Sequence, residues 1–104
     1  KFQKETARIK TGIAPNGAAF TLDDKFLWVI NGGTADISVI SVSQEDVVET
    51  IETEGYPTFI TIIGSRAYVT NYNTHAITVI DTQNLKVIDK IYTGLGPVAI
   101  IPKE

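Results

Sequence analysis

The residues that carry most protein chemistry are sparse in this chain of 104 residues. His75 is the only histidine, and there is no cysteine. The sequence therefore offers no thiolate nucleophile, no disulfide and no cysteine-based metal site. A single histidine without cysteine partners supplies too few ligands for a typical zinc site. We expect His75 to be a surface turn residue.

Carboxylates occur at three places that could do acid–base or cation chemistry: Asp23-Asp24, Glu45-Asp46 and Asp81. Aspartate is a common turn former, and adjacent side chains in a turn seldom converge on one point. Calcium needs six or more oxygens, which these pairs do not supply. None of the serines has a nucleophile-elbow context. We predict no catalytic residue, no metal site and no cofactor, and hence not an enzyme.

Aromatic and amide side chains are the better candidates for ligand contact. The aromatics Trp28 and Tyr68 and the amides Asn31 and Asn71 recur at equivalent places, and Tyr72 follows directly. We expect the two aromatics to pack between layers of structure and the two asparagines to bond nearby backbone. Stacking on a sugar is the functional alternative. The predicted ligand-binding set is Trp28, Asn31, Tyr68, Asn71 and Tyr72. Near turns or strand ends, we expect a recognition surface that includes Tyr56, Tyr72 and Tyr92.

These residues belong to an internal repeat. Trp28-Val29-Ile30-Asn31 matches Tyr68-Val69-Thr70-Asn71, and Ile37-Ser38-Val39-Ile40 matches Ile77-Thr78-Val79-Ile80, each about 40 residues later. The strand ahead of each match is offset by about 42, so one hairpin turn is two residues shorter in the second copy. Self-similarity at such a period is typical of stacked supersecondary units.

Each unit reads as four short strands, because valine, isoleucine, threonine and aromatic residues alternate between turn residues. No stretch has a convincing helical period. Gly64-Ser65 suits a two-residue type II′ hairpin. Pro15 and Pro57 are expected in turns ahead of their strands. The predicted strands are Ala18–Leu22, Phe26–Asn31, Ile37–Ser41, Val47–Glu52, Phe59–Ile63, Arg66–Asn71, Ala76–Asp81 and Lys86–Tyr92.

The second unit resembles a known repeat. Tyr68-Val69-Thr70-Asn71, followed by Ile77-Thr78-Val79-Ile80-Asp81-Thr82 and by Gly94 and Pro97, is similar to the YVTN family of β-propeller repeats. The first unit departs from it, with Trp28 in place of tyrosine. The resemblance implies blades of four antiparallel strands, found in cell-surface, surface-layer and periplasmic proteins and in domains of some redox enzymes. It carries no catalytic residue set.

We therefore predict an all-β fold: a partial β-propeller of two four-stranded antiparallel blades plus one flanking strand at each end. The chain forms one domain, 1–104, with blade units at about 11–52 and 53–92 and flanking strands at about 5–10 and 97–101. Closed propellers have about four to eight blades. The frayed ends favour a fragment of a longer propeller. Unmatched blade faces predict self-association.

Composition narrows the partners further. A net charge of −3 and a pI near 5.0 argue against nucleic acid, which needs a basic patch. No stretch is long and apolar enough for a membrane span, so no membrane insertion is expected. The resemblance favours an extracytoplasmic or cell-surface location.

Three functions follow as hypotheses. The leading one is a non-catalytic interaction or surface scaffold that mediates protein–protein binding or assembly through blade faces. The alternative is a carbohydrate-binding module. The second alternative is a fragment of a propeller enzyme domain, lactonase-like or cofactor-holding, and fold alone does not choose among them.

Overall fold

Every regular element in the computed structural model, which describes residues 11–12, 15–72 and 75–92, is a β-strand. This part of the chain contains no helix, and so none that could cross a membrane. The all-β prediction is confirmed. The strands are β1 (Pro15–Phe20), β2 (Phe26–Asn31), β3 (Asp36–Ser41), β4 (Asp46–Glu52), β5 (Pro57–Ile63), β6 (Arg66–Asn71), β7 (Ala76–Asp81) and β8 (Lys86–Tyr92).

The strands form two antiparallel sheets that repeat each other. The first sheet has the order β1-β2-β3-β4 and the second sheet has the order β5-β6-β7-β8. Trp28 pairs with Val39 in the first sheet, and Tyr68 pairs with Val79 in the second. The predicted pair of four-stranded sheets in duplicated register is therefore confirmed. The two flanking strands, at about 5–10 and 97–101, lie outside the described residues.

The first strand of each sheet begins earlier than the sequence predicted. β1 starts at Pro15 and β5 at Pro57, where turns were expected. In both strands the register shifts directly after the proline, and the proline pairs with the asparagine that ends the next strand. A bulge at a strand's first residue accommodates a proline, which has no N–H to donate. Leu22, predicted inside a strand, lies instead in the β1–β2 turn and is 81% exposed.

The turns use left-handed backbone at repeated positions. Gly64 has φ +60° and Ser65 is not left-handed, which agrees with the predicted type II′ hairpin. Non-glycine residues adopt positive φ at matching turn positions in the two sheets: Ala35 and His75, then Glu45 and Leu85. Each pair is 40 residues apart, so the duplicated sequence also duplicates this backbone strain.

The core lies between the two sheets. The backbones approach each other closest where β1 of the first sheet meets β5 of the second. Away from this edge the sheets diverge, and large side chains fill the widening space. The inner faces contribute Trp28, Ile30, Ile37, Val39 and Ile51 from the first sheet and Ile60, Ala67, Val69 and Ile80 from the second.

Polar atoms also join the sheets at their close edge. Asn16, at the bulge in β1, donates its Nδ2 hydrogen to the carbonyl oxygen of Pro57 at 3.1 Å. The equivalent residue of the second sheet, Thr58, instead shares a 2.8 Å hydrogen bond with Thr70 of its own sheet. The polar residue at the bulge therefore bonds to the neighbouring sheet in the first case and to its own sheet in the second.

Each sheet has a second face turned away from the core. Alternation along the strands and their register fix its members. The open face of the first sheet includes Ala18, which is exposed, and Leu27, which is half-buried, while Val29 and Ile40 on this face are buried. The open face of the second sheet includes two buried side chains, Thr70 and Val79. Its exposed or half-buried side chains are Phe59, Ile63, Arg66, Tyr68, Ile77 and Ile91.

Candidate functional site

Two aspartates that could have served as acid–base groups are used as turn caps. Asp81 accepts hydrogen bonds at Oδ1 from the backbone N–H of Gln83 at 2.8 Å and of Asn84 at 3.1 Å. Asp23 accepts one from the Thr21 hydroxyl at 2.6 Å and one from the Lys25 N–H at 3.0 Å. The prediction that these carboxylates form turns is confirmed.

These bonds lower the pKa of both carboxyl groups. The backbone N–H of Gln83, with that of Asn84, holds the pKa of Asp81 below the ordinary value of 3.8. The Thr21 hydroxyl does the same for the pKa of Asp23. Both carboxylates therefore stay ionised at neutral pH, which is the wrong state for a general acid.

The remaining titratable groups do not gather into a metal site in the described part of the chain. No group of three or more histidine, aspartate or glutamate side chains there is placed to hold an ion. His75 is exposed, has φ 53° and lies at the end of the turn between β6 and β7. Its predicted position in a surface turn is confirmed.

The recurring asparagines, Asn31 and Asn71, are fully buried at the end of the second strand of each sheet. Nδ2 of Asn71 donates to the Thr78 hydroxyl at 2.7 Å. Nδ2 of Asn31 donates to Oδ1 of Asp36 at 2.8 Å and to the Ser38 hydroxyl at 3.0 Å. Each amide thus links the end of one strand to the start of the next. The Oδ1 atoms of both amides are buried and lack a hydrogen-bond partner among the described residues.

The two equivalent aromatics lie in different surroundings. Trp28 is completely buried between the sheets, so the prediction that it packs between layers is confirmed. Tyr68 is half-buried on the open face of the second sheet. Trp28 therefore cannot stack on a sugar while the sheets remain packed, whereas the Tyr68 ring retains accessible area.

Two tyrosines lie together at one end of the sheets. Tyr72 is 58% exposed, and its N–H donates to the carbonyl oxygen of Tyr56 at 2.9 Å. The Tyr56 ring, 41% exposed, rests on Gly32, where an added Cβ would lie 2.7 Å from the ring carbon Cε1. A side chain at this position would require the Tyr56 ring to shift. Aromatic area at this end is available to a ligand.

A cleft of about 550 Å³, lined more by apolar than by polar surface, opens between the sheets at the opposite end. It is lined by the β1–β2 turn, including Asp23, and by Phe26 from the first sheet, and by Gly64-Ser65 and Thr82-Gln83 from the second. The cleft joins turn residues of both sheets. The hydroxyl of Thr21 and the carboxylate of Asp23, which both line it, are joined by the 2.6 Å hydrogen bond that caps the turn.

The five predicted ligand-binding residues do not converge. Trp28 lies in the core, and Asn71 lies on the core side of its sheet beside Val69. Asn31 lies on the open face of the first sheet, Tyr68 on the open face of the second, and Tyr72 in a turn. Ligand contact by this set stays a prediction.

The sequence interpretation missed the open faces as specific surfaces. Phe59 is 36% exposed and Ile91 is 46% exposed on the open face of the second sheet. Side chains alternate between the two faces along each strand, and the offsets of 42 and 40 relate the strands of the second sheet to those of the first. Together these two sequence features assign Phe59 and Ile91 to one face.

Comparison with known proteins supports the architecture. Neither a protein family model nor a curated protein matches the chain. Among solved structures, Kuenenia stuttgartiensis hydrazine synthase is 32% identical over 82% of this chain and 26% of its own, with a TM-score of 0.75. Apo AztD from Citrobacter koseri is 17% identical over 88% of this chain and 27% of its own, with a TM-score of 0.77.

A third structure carries the fold in its own description. The β-propeller domain of Cps50 (Swd1) from Myceliophteria thermophila is 11% identical over 86% of this chain and 29% of its own, with a TM-score of 0.74. The chain spans about a quarter of the length of the hydrazine synthase and AztD chains that it matches. The described residues therefore form two blades of β-propeller type.

Replacing Asn71 by alanine tests its role as a strand link. Asn71→Ala removes the donor to Thr78 and leaves that buried hydroxyl with one partner fewer, so we expect a loss of about 1–3 kcal/mol in unfolding free energy. The control Gln44→Ala removes an exposed amide and should cost less than about 0.5 kcal/mol. Urea unfolding measures both. Equal midpoints for the two variants would contradict the assigned role.

Acid should weaken the turn that Asp81 caps. Its folded-state pKa lies below 3.8, so its stabilisation is present above that pH and is lost as the pH falls through the folded pKa. We expect Asp81→Asn to lose less stability than the unmodified chain between roughly pH 7 and pH 3. The control Glu52→Gln removes an exposed carboxylate from a strand. Comparing urea midpoints at both pH values checks this, and identical pH dependence in all three proteins would count against it.

Proposed function

We propose that this chain is a non-catalytic β-propeller scaffold module that binds protein or assembles through its open sheet faces. One comparison carries the proposal. Ile51 and Ile91 occupy equivalent positions in the two sheets, yet Ile51 is 8% exposed and Ile91 is 46% exposed. In the described part of the chain a neighbouring sheet lies beside the first position and none lies beside the second.

The same contrast recurs along the open face of the second sheet. Ile37 is fully buried against the second sheet, while its equivalent Ile77 is half-buried. Trp28 is fully buried, while Tyr68 keeps accessible area. Contiguous apolar area of this kind is typical of a surface that is covered by protein.

The polar chemistry of the described residues supports a binding role over a catalytic one. Asp23 and Asp81 are held ionised in turns, and Asn31 and Asn71 are used inside the sheets. Hydrazine synthase, by its name an enzyme, is among the similar structures. An enzyme role for this chain would need residues from blades beyond the two described here.

The relation to the YVTN repeat belongs to this proposal. It is supported by Tyr68-Val69-Thr70-Asn71 and by the equivalent buried position of Asn31 in the first sheet. A cell-surface or otherwise extracytoplasmic location would follow from that relation.

Sedimentation velocity over a range of concentrations tests the proposed function. We expect the mean mass to rise with concentration, and Ile91→Asp to reduce this rise because it places a charge on the open face. Val48→Asp is the matched control, since Val48 is 41% exposed but lines a cleft between the two sheets and not an open face.

A monomer at every concentration that is also not retained by immobilised cell-surface proteins would contradict the proposal. Retention on a glycan panel that is lost on Tyr72→Ala, without self-association, would favour the carbohydrate-binding alternative through the exposed tyrosines.

A further inference from the structure

The interface inside the chain is a template for contacts at its open faces. At the close edge of the sheets, Gly17 of β1 lies near Ile60 of β5: a Cβ added at Gly17 would be 4.0 Å from Cγ2 of Ile60 and 2.9 Å from Cδ1 of Ile30. A residue without a side chain thus meets a large one. Close packing of interiors makes such pairing of sizes necessary.

The open faces carry the same pair with the sizes exchanged. The offset of 42 takes Gly17 to Phe59 on the open face of the second sheet, and takes Ala18 of the open face of the first sheet to Ile60. If the two open faces met as the inner faces do, Phe59 would lie against Ala18. A large residue would again meet a small one.

A second position shows the same compensation. Trp28 and Ala67 belong to one core cluster, on the inner faces of the first and second sheets. Their equivalents on the open faces, 40 residues apart, are Tyr68 and Leu27. The smaller aromatic is matched by the larger aliphatic residue, which keeps the combined volume near that of the inner pair.

The third position adds charge. Phe26 of the first sheet and the Gly64-Ser65 turn of the second line the same cleft. The open faces replace Phe26 by Arg66 and the short turn by the longer turn that contains Asp23 and Asp24. Arg66 lies across from Asp81 on its own sheet, and it would gain two further carboxylates from this turn.

From these three exchanges we propose that the open face of the second sheet binds the open face of the first sheet of another copy of this chain, head to tail. This inference rests on the proposed function and identifies the bound protein as a second copy of the chain. Such a contact uses different surfaces on the two copies, so it closes into a ring where the rotation allows. With two blades per copy, rings of about four to eight blades contain about two to four chains.

Mixing two blocked variants tests the head-to-tail arrangement. Phe59→Lys blocks the open face of the second sheet, and Ala18→Lys blocks the open face of the first sheet. Each variant alone should be monomeric in sedimentation velocity. Their mixture should form a species of two chains, because one unmodified junction is available. The other junction carries two lysines, which repel each other.

The outcomes separate the two proposals. An Ala18→Lys variant that still associates by itself would overturn the head-to-tail inference, because like faces would then be pairing, yet it would leave the proposed function standing. An unmodified chain that neither associates nor binds protein would overturn both. Circular dichroism and urea midpoints near those of the unmodified chain establish that each variant folds, and Val48→Asp should associate normally.

A charge exchange checks the register of the contact independently. Arg66→Glu should weaken association by roughly fivefold, as expected for one exposed ion pair. A chain that carries both Arg66→Glu and Asp24→Lys should regain affinity in self-association, because opposite charges meet again at each junction. The same chain mixed with Ala18→Lys should regain none. In that mixture the unblocked junction brings Arg66 against Asp24→Lys. Regained affinity in neither setting, with both variants folded, would contradict the register.

Discussion

The structure depends on the burial of apolar side chains between two diverging sheets. The sheets approach each other at β1 and β5 and separate toward their outer strands. Trp28 and the isoleucines around it fill the resulting wedge, and Gly17 leaves room where the backbones come close. A four-stranded sheet in isolation would leave one such face in water, so neither sheet is a self-sufficient unit.

The same constraint explains the surface. Because the two sheets share one register, each position on an inner face has an equivalent on an open face. Ile51 is buried beside the neighbouring sheet and its equivalent Ile91 is exposed on the open face, whereas Val39 and its equivalent Val79 are both buried. The polar groups follow the duplication as well, with Asn31 and Asn71 each linking the second strand to the third. What distinguishes the open faces is their chemistry: Phe59 for Gly17 and Arg66 for Phe26.

The sequence predicted the second, third and fourth strands of each sheet nearly to the residue, because the alternation of side chains and the 40-residue repeat agree in register. It missed the starts at Pro15 and Pro57, since a bulge that admits a proline leaves no mark in the alternation. It treated Trp28 and Tyr68 as one kind of site residue. Their burial differs because exposure depends on the sheet packed beside them, which residue type alone does not encode.

The central claim is that the two sheets pack face to face with Trp28 enclosed between them. Trp28 is the only tryptophan, so its fluorescence reports on this contact alone. We predict an emission maximum typical of an apolar environment and slow quenching by acrylamide, both lost when urea unfolds the chain. An emission maximum and a quenching rate in native buffer equal to those of the unfolded chain would contradict the packing of the two sheets.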